Sequence, residues 1–181
     1  MPTNSLIPQI IGIIGMTLNI LSYQPKNKKN ILLLQLCGSI FFAVNLLWLG
    51  AITGAILNLI NIALTLVFLY KDKTRAHRFI WFVIFSAAYI SAYVVSFVIF
   101  KKEPSIQNLT VELLPVIASI LAVISYRMKD SKAIRKLGWI RSPLWLIYDA
   151  VAFSIGGILC EVFTLVSILV GVLRLDINKK K

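Results

Sequence analysis

The chain has 181 residues, 59% of them hydrophobic and 14% charged, with a formal net charge of +12. A soluble globular domain carries about 25% charged residues, and an exterior made of these long apolar runs would aggregate in water. Composition therefore excludes an ordinary water-soluble domain and makes lipid the solvent for much of the surface, in keeping with a mean hydropathy of +0.85. The basic residues cluster between the apolar runs and do not spread over an aromatic-studded surface, which argues against nucleic acid as a partner.

A bilayer core about 30 Å thick takes about 20 apolar helical residues to cross. Residues 6–22 form a first, slightly short span. The preceding Met-Pro-Thr-Asn-Ser lacks the basic stretch of a cleavable signal, so this run is expected to stay as a helix. Residues 31–70 follow without a single charge. A straight helix of that length would measure about 60 Å, so the chain must reverse, and Gly50 and Gly54 tolerate the backbone angles of a tight turn. Residues 79–100 make a fourth span and 111–126 a fifth. The stretch 139–173 again exceeds one crossing, and Ser154-Ile155-Gly156-Gly157 divides it into a sixth and a seventh. The expectation is a single all-α integral membrane domain over 1–181 with seven transmembrane helices.

Short loops rich in lysine and arginine stay cytoplasmic. Residues 26–29, 71–78, 127–136 and 179–181 are basic, whereas 50–54 and 154–157 are not. The pattern predicts a periplasmic amino terminus and a cytoplasmic carboxyl terminus. Lys101 and Lys102 depart from it, sharing a loop with Glu103 and Glu112. Asn108-Leu109-Thr110 matches a glycosylation sequon, which carries no meaning in a bacterial protein.

Sliding the carboxyl half over the amino half by 103 positions aligns Ser22-Tyr23 with Ser125-Tyr126, Lys26 with Lys129, Ser39 with Ser142, Gly54 with Gly157 and Leu66-Val67 with Leu169-Val170. The repeat puts a first triple-helix unit at 6–70, a linker helix at 79–100 and a second unit at 109–173. Two such triplets share one orientation, as parallel repeats about an axis along the membrane normal do in SWEET-like transporters.

Polar side chains at membrane depth are costly and usually face an interior or a cavity. Asn58, Asn61 and Thr65 recur on one helix face, and the shift carries them onto Glu161, Thr164 and Ile168. Asn45 with Trp48, and Trp145 with Tyr148 and Asp149, fall at similar depths. These residues are expected to line a substrate cavity of amides, carboxyls and aromatic walls. Beside that stands a plainer reading, in which Asn and Thr serve as interhelical hydrogen bonds of about 1 kcal/mol and the tryptophans as interfacial anchors. Glu161 fits the plain reading least, because a carboxyl at this depth needs a proton, a cationic partner or water. Cys37 and Cys160 lie in apolar segments as free, core-like thiols. With no His or second Cys at ligand spacing, neither a metal nor a cofactor is expected.

Val111-Glu112-Leu113-Leu114-Pro115-Val116-Ile117, Ser154-Ile155-Gly156-Gly157 with Glu161 after it, and Ala55-Ile56-Leu57-Asn58 resemble the YgjV family of bacterial inner-membrane proteins over much of the chain. The resemblance implies a location and an architecture, not a substrate. A more distant likeness is to PQ-loop proteins, including SWEET and PnuC carriers, through the three-plus-one-plus-three plan. Their Pro-Gln pair is not reproduced, since Gln24-Pro25 is reversed and Pro8-Gln9 lies at the other end of the first helix.

The resulting expectation is a carrier or facilitator of a small polar metabolite, working by alternating access in the inner membrane. A non-transporting protein that binds lipid or a protein partner is the alternative, with its basic loops on anionic headgroups. An enzyme is not expected, because no nucleophile, acid–base pair or metal ligand set stands at recognisable spacing.

Overall fold

The computed structural model describes residues 6–128, 130–152 and 155–177. Among them the chain is helical, with eight α-helices and a closing π-helical turn: α1 (Leu6–Leu21), α2 (Lys28–Trp48), α3 (Ile52–Leu69), the single turn α4 (Lys71–Thr74), α5 (Phe79–Val98), α6 (Ile106–Arg127), α7 (Ser131–Val151) and α8 (Ile155–Val172), followed by Leu173–Ile177. Five of them, α2, α3, α5, α6 and α8, are long and apolar enough to cross a membrane. The apolar α1 is shorter, and α7 carries Lys132, Arg135, Lys136, Arg141 and Asp149 along its length.

Local chemistry sets the helix ends. Asn27 and Asp130 cap α2 and α7, their side chains accepting from the backbone N–H of Lys29 at 2.9 Å and Lys132 at 3.1 Å. Each satisfies a donor that the first helical turn leaves open. Because of its cap, α7 starts eight residues before the apolar stretch at 139. Ser105 does the same for α6 through the Asn108 N–H, adding more than a turn before Val111. These polar first turns carry no hydropathy signal, so the fifth and sixth helices are longer than the apolar runs suggest.

The reversal between α2 and α3 falls where glycine allows it. Gly50 takes a positive φ of 76°, its N–H bonds back to Leu47 O, and the Ala51 N–H reaches Leu46 O. That pair of bonds is a Schellman closure, for which a residue without Cβ is best suited. Gly54 lies inside α3 and serves packing instead. Ser154, at the matching break before α8, lies outside the described residues, as do Lys129 and the basic tail 178–181.

Packing closes a ring in which α1 touches α2, α2 touches α3, α3 touches α6, α6 touches α7, α7 touches α8 and α8 returns to α1. The remaining long helix, α5, leans on α3 and α6 from outside. The buried core gathers Leu57, Leu64, Phe68, Tyr89, Val116, Val123, Ile134 and Ile168. Large apolar side chains such as Ile7, Val83, Ile90, Phe163 and Val166 point outward. This inverted surface is the arrangement expected of helices solvated by lipid.

Candidate functional site

The ring surrounds a cavity of about 70 Å³. One face of α2 lines it with Gln35, Gly38, Ser39, Phe42 and Leu46, and one face of α7 with Arg141, Ser142, Trp145 and Asp149. Both sets follow the three- and four-residue spacing of a single helix face. Asn58 and Asn61 enter from α3, Gly157, Cys160 and Glu161 from α8, and Asn19, Tyr23 and Tyr126 complete the wall.

Most of its polar groups are tied to the scaffold. Ser142 donates to Glu161 Oε2, joining α7 to α8. The Tyr126 hydroxyl donates to Gln35 Oε1 at 2.5 Å and so links α6 to α2 across the ring. Tyr89 donates to Asn61 Oδ1 at 2.6 Å from α5. Asn58 gives its amide to Gly54 O, one turn back on its own helix, at 2.9 Å. Asn19 Nδ2 points at Cys160 Sγ, 3.6 Å away. In the turn after α1, burial pushes the Tyr23 hydroxyl above its ordinary pKa, so it stays a neutral donor.

Arg141 differs from these. Its guanidinium lies within electrostatic reach of Glu161 and of the hydroxyls of Tyr23, Tyr89 and Tyr126. Yet its Nε and Nη1 are buried without a hydrogen-bond partner among the described residues, and it forms no ion pair there. A buried cation with unused donors is costly unless something else satisfies it.

Of the residues singled out from the sequence, Asn58, Asn61, Trp145, Asp149 and Glu161 line the cavity together. Asn45 is buried but faces α1, where its amide sits against Gly12. Tyr148 is buried one position off the cavity face, its ring edge against Gly54. Thr164 is buried behind Cys160, its hydroxyl unpartnered among the described residues. Trp48 must be corrected: at 49% exposure on the last residue of α2 it stands outside the cavity, because the lining face runs through Phe42 and Leu46 and position 48 is rotated away from it. Glu112 is buried and paired with Lys102, which accounts for a lysine in that loop.

Sequence reasoning missed Arg141, Gln35, Asn19 and the two tyrosines as lining residues. Tyr23 with Tyr126 and Ser39 with Ser142 were already matched by the 103-residue shift, and this was the usable signal. A lone arginine at membrane depth is itself a pointer to a cavity.

Among the described residues, an all-helical ring with an apolar exterior around a polar cavity defines a multi-helix membrane protein. The chain belongs to the Imp-YgjV family of bacterial inner membrane proteins, whose family model matches residues 6–179. No curated protein and no solved structure matches it.

Proposed function

We propose that this protein carries a small polar metabolite across the inner membrane by alternating access, with seven spans arranged as a triplet, a linker helix and a second triplet of the same orientation. The observation that carries the reading is the pairing of positions around the cavity. Tyr23 and Tyr126, Gly38 and Arg141, Ser39 and Ser142, Phe42 and Trp145, Leu46 and Asp149, and Asn58 and Glu161 all line it, and each pair is separated by 103 residues. The same shift carries the bounds of α2 onto those of α7, the bounds of α3 onto those of α8, and the cap Asn27 onto Asp130. It also exchanges the α1–α8 contact with the α6–α3 contact. These agreements support two like-oriented units meeting across a chamber, the arrangement in which a carrier holds its substrate near the midplane and rocks one unit against the other.

In this reading α1 and α7 also span. Lys132 and Lys136 of the first turns of α7 reach the cytoplasmic surface by extending their long side chains, Arg135 is buried against Gly171, and Arg141 and Asp149 face the chamber and avoid lipid. The basic loops favour an amino terminus in the periplasm and a carboxyl terminus in the cytoplasm.

Two measurements test the proposal. Reporter fusions after Lys73 and at the carboxyl terminus should read cytoplasmic, and fusions near Thr53 and Gly156 periplasmic; a periplasmic carboxyl terminus would overturn the seven-span plan. The purified protein, screened by thermal shift against small polar metabolites, should be stabilised by those that bind the folded state. A stabilising solute should then exchange across proteoliposomes faster than across empty vesicles. Stabilisation without exchange would leave a receptor and remove the carrier.

A further inference from the structure

The chamber carries one fixed cation with unused donors, and its charge balance narrows what can occupy it. We propose that its ligand is a small zwitterion bearing a single carboxylate, which Arg141 receives, and a cationic group, which turns toward Glu161. This rests on the reading of the chamber as a ligand site and specifies the class of ligand.

The argument begins at Arg141. Two of its nitrogens are buried without a hydrogen-bond partner among the described residues. A guanidinium has five N–H donors and no acceptor, so only an oxygen-rich or anionic group can complete it. Charge-assisted bonds from arginine to a carboxylate are among the strongest such contacts.

The charge of that group is limited by its surroundings. Among the described residues no second lysine or arginine lines the chamber, and Asp149 and Glu161 stand in the same wall. A phosphate brings a charge of about −1.5 to −2 and would meet one cation and two carboxyls, which disfavours it. A single carboxylate matches a single guanidinium.

The rest of the ligand follows from Glu161. Its Oε2 accepts from Ser142, which fixes the carboxyl on α8 and leaves it an acceptor for a further donor. Adding a net charge to a low-dielectric chamber is costly. A ligand whose cation balances its carboxylate adds none, whereas a bare monocarboxylate adds a full negative charge. The neutral residues of the chamber, Phe42, Trp145, Asn58 and Asn61, accommodate a short apolar and amide-bonding body between the two charged ends.

The test uses the full-length protein in nanodiscs and a panel of alanine, 4-aminobutyrate, glycine betaine, lactate, glucose and inorganic phosphate, read by isothermal titration. At least one of the three zwitterions should bind, and more tightly than lactate, glucose or phosphate. Arg141→Gln should weaken that binding by a hundredfold or more, and Arg141→Lys by at least tenfold while retaining the charge, so that a folded variant is available if the first does not fold. Glu161→Gln should weaken the zwitterion and spare or improve lactate. If glucose binds and neither arginine variant changes its affinity, the zwitterion proposal falls and the carrier reading stands. If phosphate binds more tightly than any zwitterion, the charge argument fails. If no solute in the panel binds, this proposal falls, and the broader metabolite screen decides the carrier reading by itself.

Discussion

The helical hairpins α2–α3 and α7–α8 present matching faces to one chamber with different chemistry. Where α2 and α3 place Gly38, Leu46 and Asn58, α7 and α8 place Arg141, Asp149 and Glu161. Among the described residues, one wall is neutral and the other holds every lysine, arginine, aspartate and glutamate that lines the chamber. Helices of equal length support unequal chemistry here, and the difference lies in three side chains whose positions a common helix periodicity determines. A charged wall facing a neutral one orients a polar solute, which two identical walls could not do.

The comparison can be broken most severely by charging the neutral wall. Leu46 is buried at the position matching Asp149, and Leu46→Asp would place a second carboxylate there without the environment of the first. A loss of about 3–5 kcal/mol is expected, read by denaturant unfolding in detergent. An unchanged midpoint would mean that water reaches this wall freely.

A smaller but still substantial effect is expected away from the chamber. Glu112 is 2% exposed and its partner Lys102 40% exposed. Lys102→Ala strips the buried carboxylate of its partner, and stability should fall by about 2 kcal/mol. Glu112→Gln in the same background should restore part of the loss, and failure to do so would show that the lysine acts through something other than the ion pair.

The first turn of the second helix in each hairpin sharpens the contrast. A Cβ on Gly157 would collide with the Asp149 carboxyl, whereas on Gly54 it would meet Leu46 Cδ1 at 3.0 Å and the Tyr148 ring edge at 3.4 Å. Gly157→Ala should therefore cost about 1–3 kcal/mol and Gly54→Ala less, because the end of a leucine side chain can shift. Equal losses would mean that Asp149 moves as easily as Leu46.

Glu161→Gln keeps size and the bond from Ser142, so its effect on folding should be within about 1 kcal/mol. Its effect on ligand response should be large. A protein equally stable and unaltered in binding would reduce Glu161 to a helix-packing group. Smallest of all, Trp48→Ala should change stability by no more than about 0.5 kcal/mol, since its side chain stands outside the chamber.

Several of these features are legible in the chain before any fold is built. Lipid exposure, the number of long apolar runs and the reversal at Gly50 follow from composition and local backbone preference, because a helix in lipid must satisfy its own backbone and cannot exceed the bilayer. Asn58, Asn61, Trp145, Asp149 and Glu161 were recoverable because a polar group in an apolar run stands out against its neighbours. The polar first turns of α6 and α7 were not, since capping bonds leave no trace in hydropathy. Only the tertiary structure decided which faces meet. It turned Trp48 outward and Asn45 toward α1, since each residue along a helix is rotated about 100° from the last and depth alone does not say which way it points. It also drew Tyr23, Gln35, Tyr126 and Arg141 from four separate segments into one chamber. Arg141 acquires its meaning there, because whether a buried guanidinium is satisfied depends on neighbours from other helices that no local stretch of sequence specifies.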